Sequence, residues 1–216
     1  MPTRHLSFGD VLREHRVRYA DRIAFVDGDT RLTWREADDR VNRLANALRS
    51  AGVGAGDRIL WLAQNSFRIY ELLGAAGKLG AMVCPAYWRW SAEEMAFAID
   101  DFRPKVIVWQ DEEIGETVVA ARERAEHAGA ALWLRHDGNG TGGSESYEAF
   151  LATGDAADPE LDVEPDTALL VIYTAAIDGR PCGSLLSHRN VLGQAVSSAW
   201  LGDIDHETSF LNSGPM

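Results

Sequence analysis

The 216-residue chain carries 33 acidic and 21 basic side chains, a formal net charge of −12, on a composition 46% hydrophobic and 25% charged. That length is enough to bury a substantial core, in one large domain or two small ones. A field this acidic opposes nucleic acid and anionic membrane surfaces, so an anionic ligand has to be held by local donors or a metal ion. The cysteines, Cys84 and Cys182, lie far apart in no metal-ligand spacing and read as free thiols of a reducing compartment. The first residues hold no signal-like apolar stretch. The longest apolar segment, residues 69–86, is interrupted by Glu71 and Lys78 and is too short to span a bilayer. A cytoplasmic protein is expected.

Ser7 and Asp10 mark a helix start, followed by Phe8, Leu12 and Tyr19 as an apolar stripe. Residues 23–33 read as a hairpin about an Asp-Gly turn. Thr33 and Glu36 form a capping box, behind which Ala37, Val41, Leu44, Ala45 and Leu48 recur at helical spacing until Gly52. Arg58 to Ala63 is predicted as a strand and Phe67 to Leu79 as a helix whose small residues Gly74 to Gly77 allow close packing. A strand over Ala81 to Pro85 precedes a second capping box, Ser91 with Glu94, and a helix to about Asp101. Val106 to Trp109 is a strand, Glu112 to Ala128 a helix, and Ala130 to Leu134 a strand. This alternation implies an α/β fold: a mostly parallel, doubly wound sheet with helices on both faces.

Residues 137–146 are small and polar and read as an exposed flexible loop, and a short helix follows over Tyr147 to Leu151. Residues 154–166, rich in Asp, Glu and Pro, form an acidic connector. It divides a first α/β subdomain (1–153) from the start of a second (167–216). A helix is expected from about Arg189 to Leu201, and a strand over Ser209 to Met216.

The most informative stretch is ALLVIYTAAIDGRPCGSLLSH, residues 168–188. A β-branched run leads into a turn built around Gly179, Pro181 and Gly183, then to Leu185, Leu186, Ser187 and a helix-like segment at His188. A buried strand feeding a glycine-bearing loop places backbone N–H groups where they can cradle phosphate oxygens. The stretch resembles the phosphate loop of the adenylate-forming enzymes, the superfamily of acyl-CoA synthetases, luciferases and peptide-synthetase adenylation domains. Its usual form is Tyr-Thr-Ser-Gly-Thr-Thr-Gly-x-Pro-Lys-Gly, then a few residues, then His. Tyr173, Thr174, Gly179, Pro181, Gly183 and His188 fit that form; Ala175, Ala176, Ile177, Asp178 and Cys182 depart from it.

Earlier segments are similar to the same family in order and spacing: residues 31–59 to its capped entry helix, residues 65–95 to the helix–strand pair after it, and residues 211–216 to a strand near the acyl pocket. The resemblance implies the N-terminal part of the adenylate-forming fold. It also implies a two-step reaction: a carboxylate attacks the α-phosphate of ATP, and coenzyme A then displaces AMP. ATP, Mg²⁺ and coenzyme A are the implied cofactors, and a carboxylic acid of the fatty-acid class is the implied substrate. The adenine loop, the ribose-binding Asp and the lid with its catalytic Lys would lie beyond Met216, so the 216-residue chain alone is expected not to turn over. No catalytic residue and no metal ligand is assigned within it.

Nucleotide binding is assigned to Thr174, Ala175, Ala176, Ile177, Asp178, Gly179, Arg180, Cys182 and Gly183. Backbone donors at Asp178, Gly179 and Gly183 form the expected anion cup at the carboxyl edge of the sheet, and Thr174 keeps one hydroxyl. Ala175 and Ile177 lack hydroxyls, and Cys182 stands where the family has its cation. Each lost hydrogen bond to a charged group is worth roughly 1.5–3 kcal/mol. Asp178 repels phosphates unless Mg²⁺ bridges them; in that variant Arg180 replaces the missing Lys.

Plainer readings prevail elsewhere. His188 belongs to the first turn of a helix, and Asp203, Asp205, His206 and Glu207 to an acidic turn. Gly52 to Gly56 follows a helix, the wrong context for a dinucleotide fingerprint. Gly74 to Gly80 lacks Walker spacing, and Asn139, Gly140 and Thr141 match a glycosylation acceptor that a cytosolic chain does not use. Trp88, Arg89 and Trp90 read as packing in a turn rather than as a pocket rim. The alternative to a ligase fragment is a degenerate, non-catalytic binding or assembly module of the same fold, self-associating through its unfinished second sheet.

Overall fold

A computed structural model of the chain describes residues 5–138, 144–174 and 181–212. Its opening elements are α1 (Phe8–Arg18), the hairpin β1 (Ile23–Asp27) and β2 (Thr30–Thr33), and α2 (Trp34–Ser50). The crossovers follow as β3 (Arg58–Leu62), α3 (Phe67–Leu79), β4 (Met82–Pro85), α4 (Ala92–Phe102), β5 (Val106–Trp109), α5 (Gly115–Arg124) and β6 (Leu132–Arg135). The chain continues through β7 (Glu145–Ser146), α6 (Tyr147–Ala152), β8 (Ala168–Thr174), β9 (Cys182–Ser187) and α7 (His188–Leu201).

Both capping boxes close as their spacing demands. The Thr33 hydroxyl accepts the Glu36 N–H at 3.2 Å while the Glu36 carboxylate accepts the Thr33 N–H at 2.8 Å. Ser91 and Glu94 repeat the exchange at 3.3 and 2.8 Å. Helix starts that would otherwise expose bare donors are thus fixed by sequence-local groups.

Strands β3 to β9 form one seven-stranded sheet in the order β7-β6-β5-β3-β4-β8-β9, with every neighbouring pair parallel except β8 and β9. From β4 through β3 to β7 this is the 2-1-3-4-5 order of doubly wound sheets. Both faces are covered. Ile59 and Trp61 of β3 pack with Leu44, Leu48, Leu72 and Phe150 on one face. Leu60 and Leu62 pack with Met95, Ile99, Phe102 and Val118 on the other. Two-sided burial explains why β3 and β5 read as unbroken apolar runs instead of alternating.

Glu71 and Lys78, which interrupt the apolar sequence of α3, are both fully buried and both paired. Glu71 takes Arg40 and, at 3.1 Å, the Tyr147 hydroxyl; Arg40 also binds Glu148 at 2.9 Å. The Lys78 ammonium donates to Asp38 and Asn42 at 2.6 Å each and to Asp158 at 2.9 Å. Asp158 in turn receives both guanidinium arms of Arg13, at 2.8 and 2.7 Å. Behind a larger opposing desolvation effect, these partners hold the Asp158 carboxyl well below its usual range. The acidic segment 154–166 has no regular structure yet is tied down along its first half. Asn46 donates to the carbonyls of Asp155 and Ala157 at 2.9 and 2.8 Å. Gly154 lies so close to α2 that a Cβ there would stand 1.9 Å from the Arg43 carbonyl oxygen.

Four expectations need correction. The helix read over Glu112 to Ala128 is shorter, Gly115–Arg124, because Glu113 has a φ of +66° and a 3₁₀ turn over Ala128–Ala130 follows. Asp137, read as part of an exposed loop, is half-buried and accepts the N–H groups of Asp111 and Glu112 at 2.9 and 2.6 Å. Cys182–Ser187, not read as a strand, forms β9. Residues 209–212 form no strand, and 213–216 lie outside the described residues.

Replacing Lys78 by Met leaves Asp38, only 3% exposed, without its closest counter-charge. Urea unfolding should show a loss of about 3–5 kcal/mol, with the fold retained.

Candidate functional site

Strand β8 enters the sheet beside β4, with Val83 opposite Leu170, and its carboxyl end reaches the edge where β4 ends at Pro85. It is held from both faces, Leu169 and Val171 being buried. At the tip the Tyr173 hydroxyl donates to Asp101 of α4. Burial and that carboxylate push the phenol well above its usual value, so it stays protonated.

The chain returns antiparallel through β9, pairing Thr174 with Cys182 and Tyr173 with Gly183. A Cβ on Gly183 would lie 3.1 Å from Val171 Cγ1, so glycine keeps this hairpin flat against its neighbour. Among the described residues the Thr174 hydroxyl makes only a long 3.4 Å bond, to the Cys182 carbonyl, and is exposed at the rim. The Cys182 thiol is exposed. Of the nine assigned residues, Thr174, Cys182 and Gly183 therefore stand together at the carboxyl edge. Ala175, Ala176, Ile177, Asp178, Gly179 and Arg180, with the amides of the expected anion cup, lie outside the described residues.

His188 is the first residue of α7 and fully buried. Its Nδ1 accepts the Phe8 N–H at 3.0 Å, so it points into the protein and not into the rim. The sequence placed it in a helical first turn; the long-range contact to α1 has no sequence signature.

Two cavities flank the carboxyl edge. One, of about 180 Å³, is lined by Leu73, Pro85, Tyr87, Trp90, Leu170, Ile172 and Tyr173. Trp90 meets Tyr173 edge-on at 6.0 Å, so it lines a pocket instead of merely packing in a turn. The other, of about 620 Å³ beyond β5 and β6, is bordered by Asp111, Glu112, Glu113, Glu116 and Asp137. Its Arg135 is already engaged by Asp111 and Asp137, each at 3.0 Å. A cavity with that charge repels carboxylates and phosphates. Among the described residues, no group of three His, Cys, Asp or Glu is placed to hold a metal ion.

Doubly wound sheets usually bind ligands where the strand order reverses, here between β3 and β5. That crevice is closed by protein. The Gln64 N–H donates to the Gln110 side-chain oxygen at 2.9 Å, and Gln110 Nε2 returns a bond to Gln64 at 3.2 Å. Next to it His136 stacks on Trp61 at 4.9 Å with neither ring nitrogen bonded among the described residues. Burial, aided by the Arg68 charge, pulls its pKa down to about 4.

A family model described as AMP-binding enzyme matches residues 12–216. A fatty acid–[acyl-carrier-protein] ligase, ScoC, of Streptomyces coeruleorubidus is 31% identical over 177 residues, covering 81% of this chain and 32% of that protein. A feruloyl-CoA synthase of an Amycolatopsis species is 33% identical over 189 residues, covering 88% and 35%. The chain thus spans about a third of the length of these curated relatives. The solved N-terminal domain of FACL13 from Mycobacterium tuberculosis superposes with a TM-score of 0.78 at 26% identity, covering 92% of this chain and 47% of that one. The likeness extends to the mostly parallel sheet with helices on both faces. Among the described residues no helix is long and apolar enough to cross a membrane.

Two outcomes follow from the buried groups. Because the folded pKa of His136 lies below the unfolded value of 6.5, the unfolded chain takes up the proton first. Stability should therefore fall by up to about 3 kcal/mol as pH drops from 6.5 to 4. His136→Phe, which keeps the stack and has no nitrogen to charge, should flatten that slope in denaturant titrations at each pH. Mass spectrometry after alkylation of the native protein should find Cys182 labelled and Cys84 untouched, since Cys84 is buried with its thiol pushed up to about 12.

Proposed function

The chain belongs to the AMP-binding enzyme family, and from that membership we propose that it supplies the N-terminal nucleotide-binding part of an ATP-dependent acid–thiol ligase. In this reading a carboxylic acid is activated as its acyl-adenylate and passed to coenzyme A. The observation that carries the reading is the position of the β8–β9 hairpin. Thr174 and Cys182, which bracket the phosphate-type segment, meet at the carboxyl edge of a buried parallel strand.

The donor set suits a polyphosphate with fewer bonds than the family form provides. Thr174 offers a hydroxyl not committed to a strong bond. The segment 175–180 adds main-chain amides, the Arg180 guanidinium in place of Lys, and the Asp178 carboxylate, which would share Mg²⁺ with the phosphates. Bound ATP would supply the leaving pyrophosphate, whose charge Mg²⁺ would offset; the part of these residues is to bind and orient it. A fatty acid is the substrate class we favour. ScoC acts on a fatty acid, and the cavity beside the hairpin is lined by apolar and aromatic side chains while the other is acidic.

A non-catalytic assembly role is favoured by one specific observation: Val196, Trp200 and Leu201 of α7, with Phe210 and Leu211, are exposed apolar residues. Light scattering distinguishes it, since a monomer at all accessible concentrations argues against self-association.

Calorimetric titration with MgATP tests the ligase reading. Binding in the millimolar range or tighter is expected, and Arg180→Ala should weaken it by about ten- to a hundredfold, the loss of one charge-assisted bond. Absence of binding at millimolar nucleotide defeats the reading.

A further inference from the structure

Helix α1 begins with an N–H that its own helix cannot satisfy. Ser7 and Asp10 cap each other at this end: Asp10 accepts the Ser7 N–H at 2.9 Å and the Ser7 hydroxyl at 2.7 Å. The Phe8 N–H finds its acceptor elsewhere, in Nδ1 of His188 at 3.0 Å, 180 residues along the chain. The imidazole is fully buried, and its Nε2 has no hydrogen-bond partner among the described residues.

A ring nitrogen accepts a hydrogen bond only without a proton, so the bond requires neutral His188 with its hydrogen on Nε2. A proton on Nδ1 would turn donor against donor. It would also set a cation at the positive end of α1. The ring is anchored at a junction. Ser187 ends β9 and caps α7, while the His188 N–H donates to Thr167 at 3.1 Å and the Arg189 N–H to Pro165 at 2.9 Å.

The charges around it are spoken for. On α1, Asp10 is engaged by Ser7 and by Arg13 at 2.8 Å. On α3, Lys78 packs against Gly9 but sends its ammonium to Asp38, Asn42 and Asp158. Arg189 turns outward to Asp166 at 2.7 Å. Burial holds the His188 pKa below the usual value, outweighing the Asp10 charge, which among the described residues is the neighbour that favours an imidazolium.

We propose that His188 is a proton-operated latch: neutral, it caps α1 and fastens the β9–α7 junction to it; protonated, it lets go. The latch stands whether or not the segment 175–180 binds nucleotide, and it goes beyond the ligase reading by giving the hairpin a proton-dependent mount.

Asparagine provides the test, because its Oδ1 occupies the position of Nδ1 and does not titrate. Amide hydrogen exchange of Phe8, corrected for intrinsic rate, is compared at about pH 7.5 and pH 5, with Leu60 in the central strand as reference. In the natural protein the Phe8 protection factor should drop at the lower pH by about tenfold or more beyond any drop at Leu60, which reports the global loss that His136 brings. In His188→Asn, Phe8 should lose no more than Leu60 does. The ¹⁵N shift of His188 Nδ1 at the higher pH should be that of an unprotonated acceptor. A Phe8 drop no greater than that of Leu60 in the natural protein, a pH response in His188→Asn as large as the natural one, or a protonated Nδ1 at pH 7.5 would each overturn the latch.

Discussion

The ammonium of Lys78 is out of water, and the arrangement of α1, α2 and the acidic segment follows from how that charge is met. An isolated buried cation costs several kcal/mol even after relaxation. Here three oxygens surround it, one carboxylate and one amide from α2 and one carboxylate from the segment after α6. Asp158 is in turn clamped by Arg13 of α1. Three parts of the chain are thereby fixed relative to α3, and β8 enters the sheet from the end of the segment so held. Apolar packing alone is not directional enough to set that register; a charge with three specific acceptors is.

The crossovers were legible in the sequence because each carries redundant local signals. The helix over 67–79 and the strand over 106–109 appear with the bounds read from periodicity, and the Thr33 and Ser91 boxes form as their spacing requires. What was not legible depends on partners distant in sequence. The start of α5 is set by Asp137, more than 20 residues downstream, whose carboxylate takes the N–H groups of Asp111 and Glu112 and so forces a turn where helical spacing continued. β9 has glycine, serine and little apolar alternation, and is a strand because β8 offers an edge. Glu71 and Lys78, which in the sequence only interrupt an apolar segment, are among the most buried residues. For the candidate site, spacing picked out the segment that β8 and β9 bracket, but no motif announces that Tyr173 is tied to α4 or His188 to α1.

The carboxyl edge is electrically divided. Beyond β5 and β6 five carboxylates border one cavity, while on the β4 and β8 side the neighbouring cavity is apolar. For an anionic ligand approaching a chain of net charge −12, the second side is the less repulsive entrance. The central crevice, where doubly wound sheets usually work, is filled by the Gln64–Gln110 pair and by the His136–Trp61 stack. Charge and occlusion thus leave the hairpin side as the less repulsive and less obstructed part of the edge.

Within the hairpin, the altered residues are unequal in consequence. Main-chain amides are indifferent to side-chain identity, so Ala175 and Ala176 need not change the backbone donors. Replacing the usual lysine by Cys182 does matter: a thiol at the rim lacks the positive charge an ammonium would offer a phosphate. Two positions earlier Arg180 offers a guanidinium, which reaches further than an ammonium and binds phosphate through two nitrogens. Since Cys182 pairs with Thr174, the hydroxyl and the foot of the segment carrying Arg180 spring from the same point of the rim. In the ligase reading, a phosphate bound at that point depends on the hairpin being held in place. Tyr173 with Asp101 on one side and His188 with Phe8 on the other are the side-chain ties that hold it there.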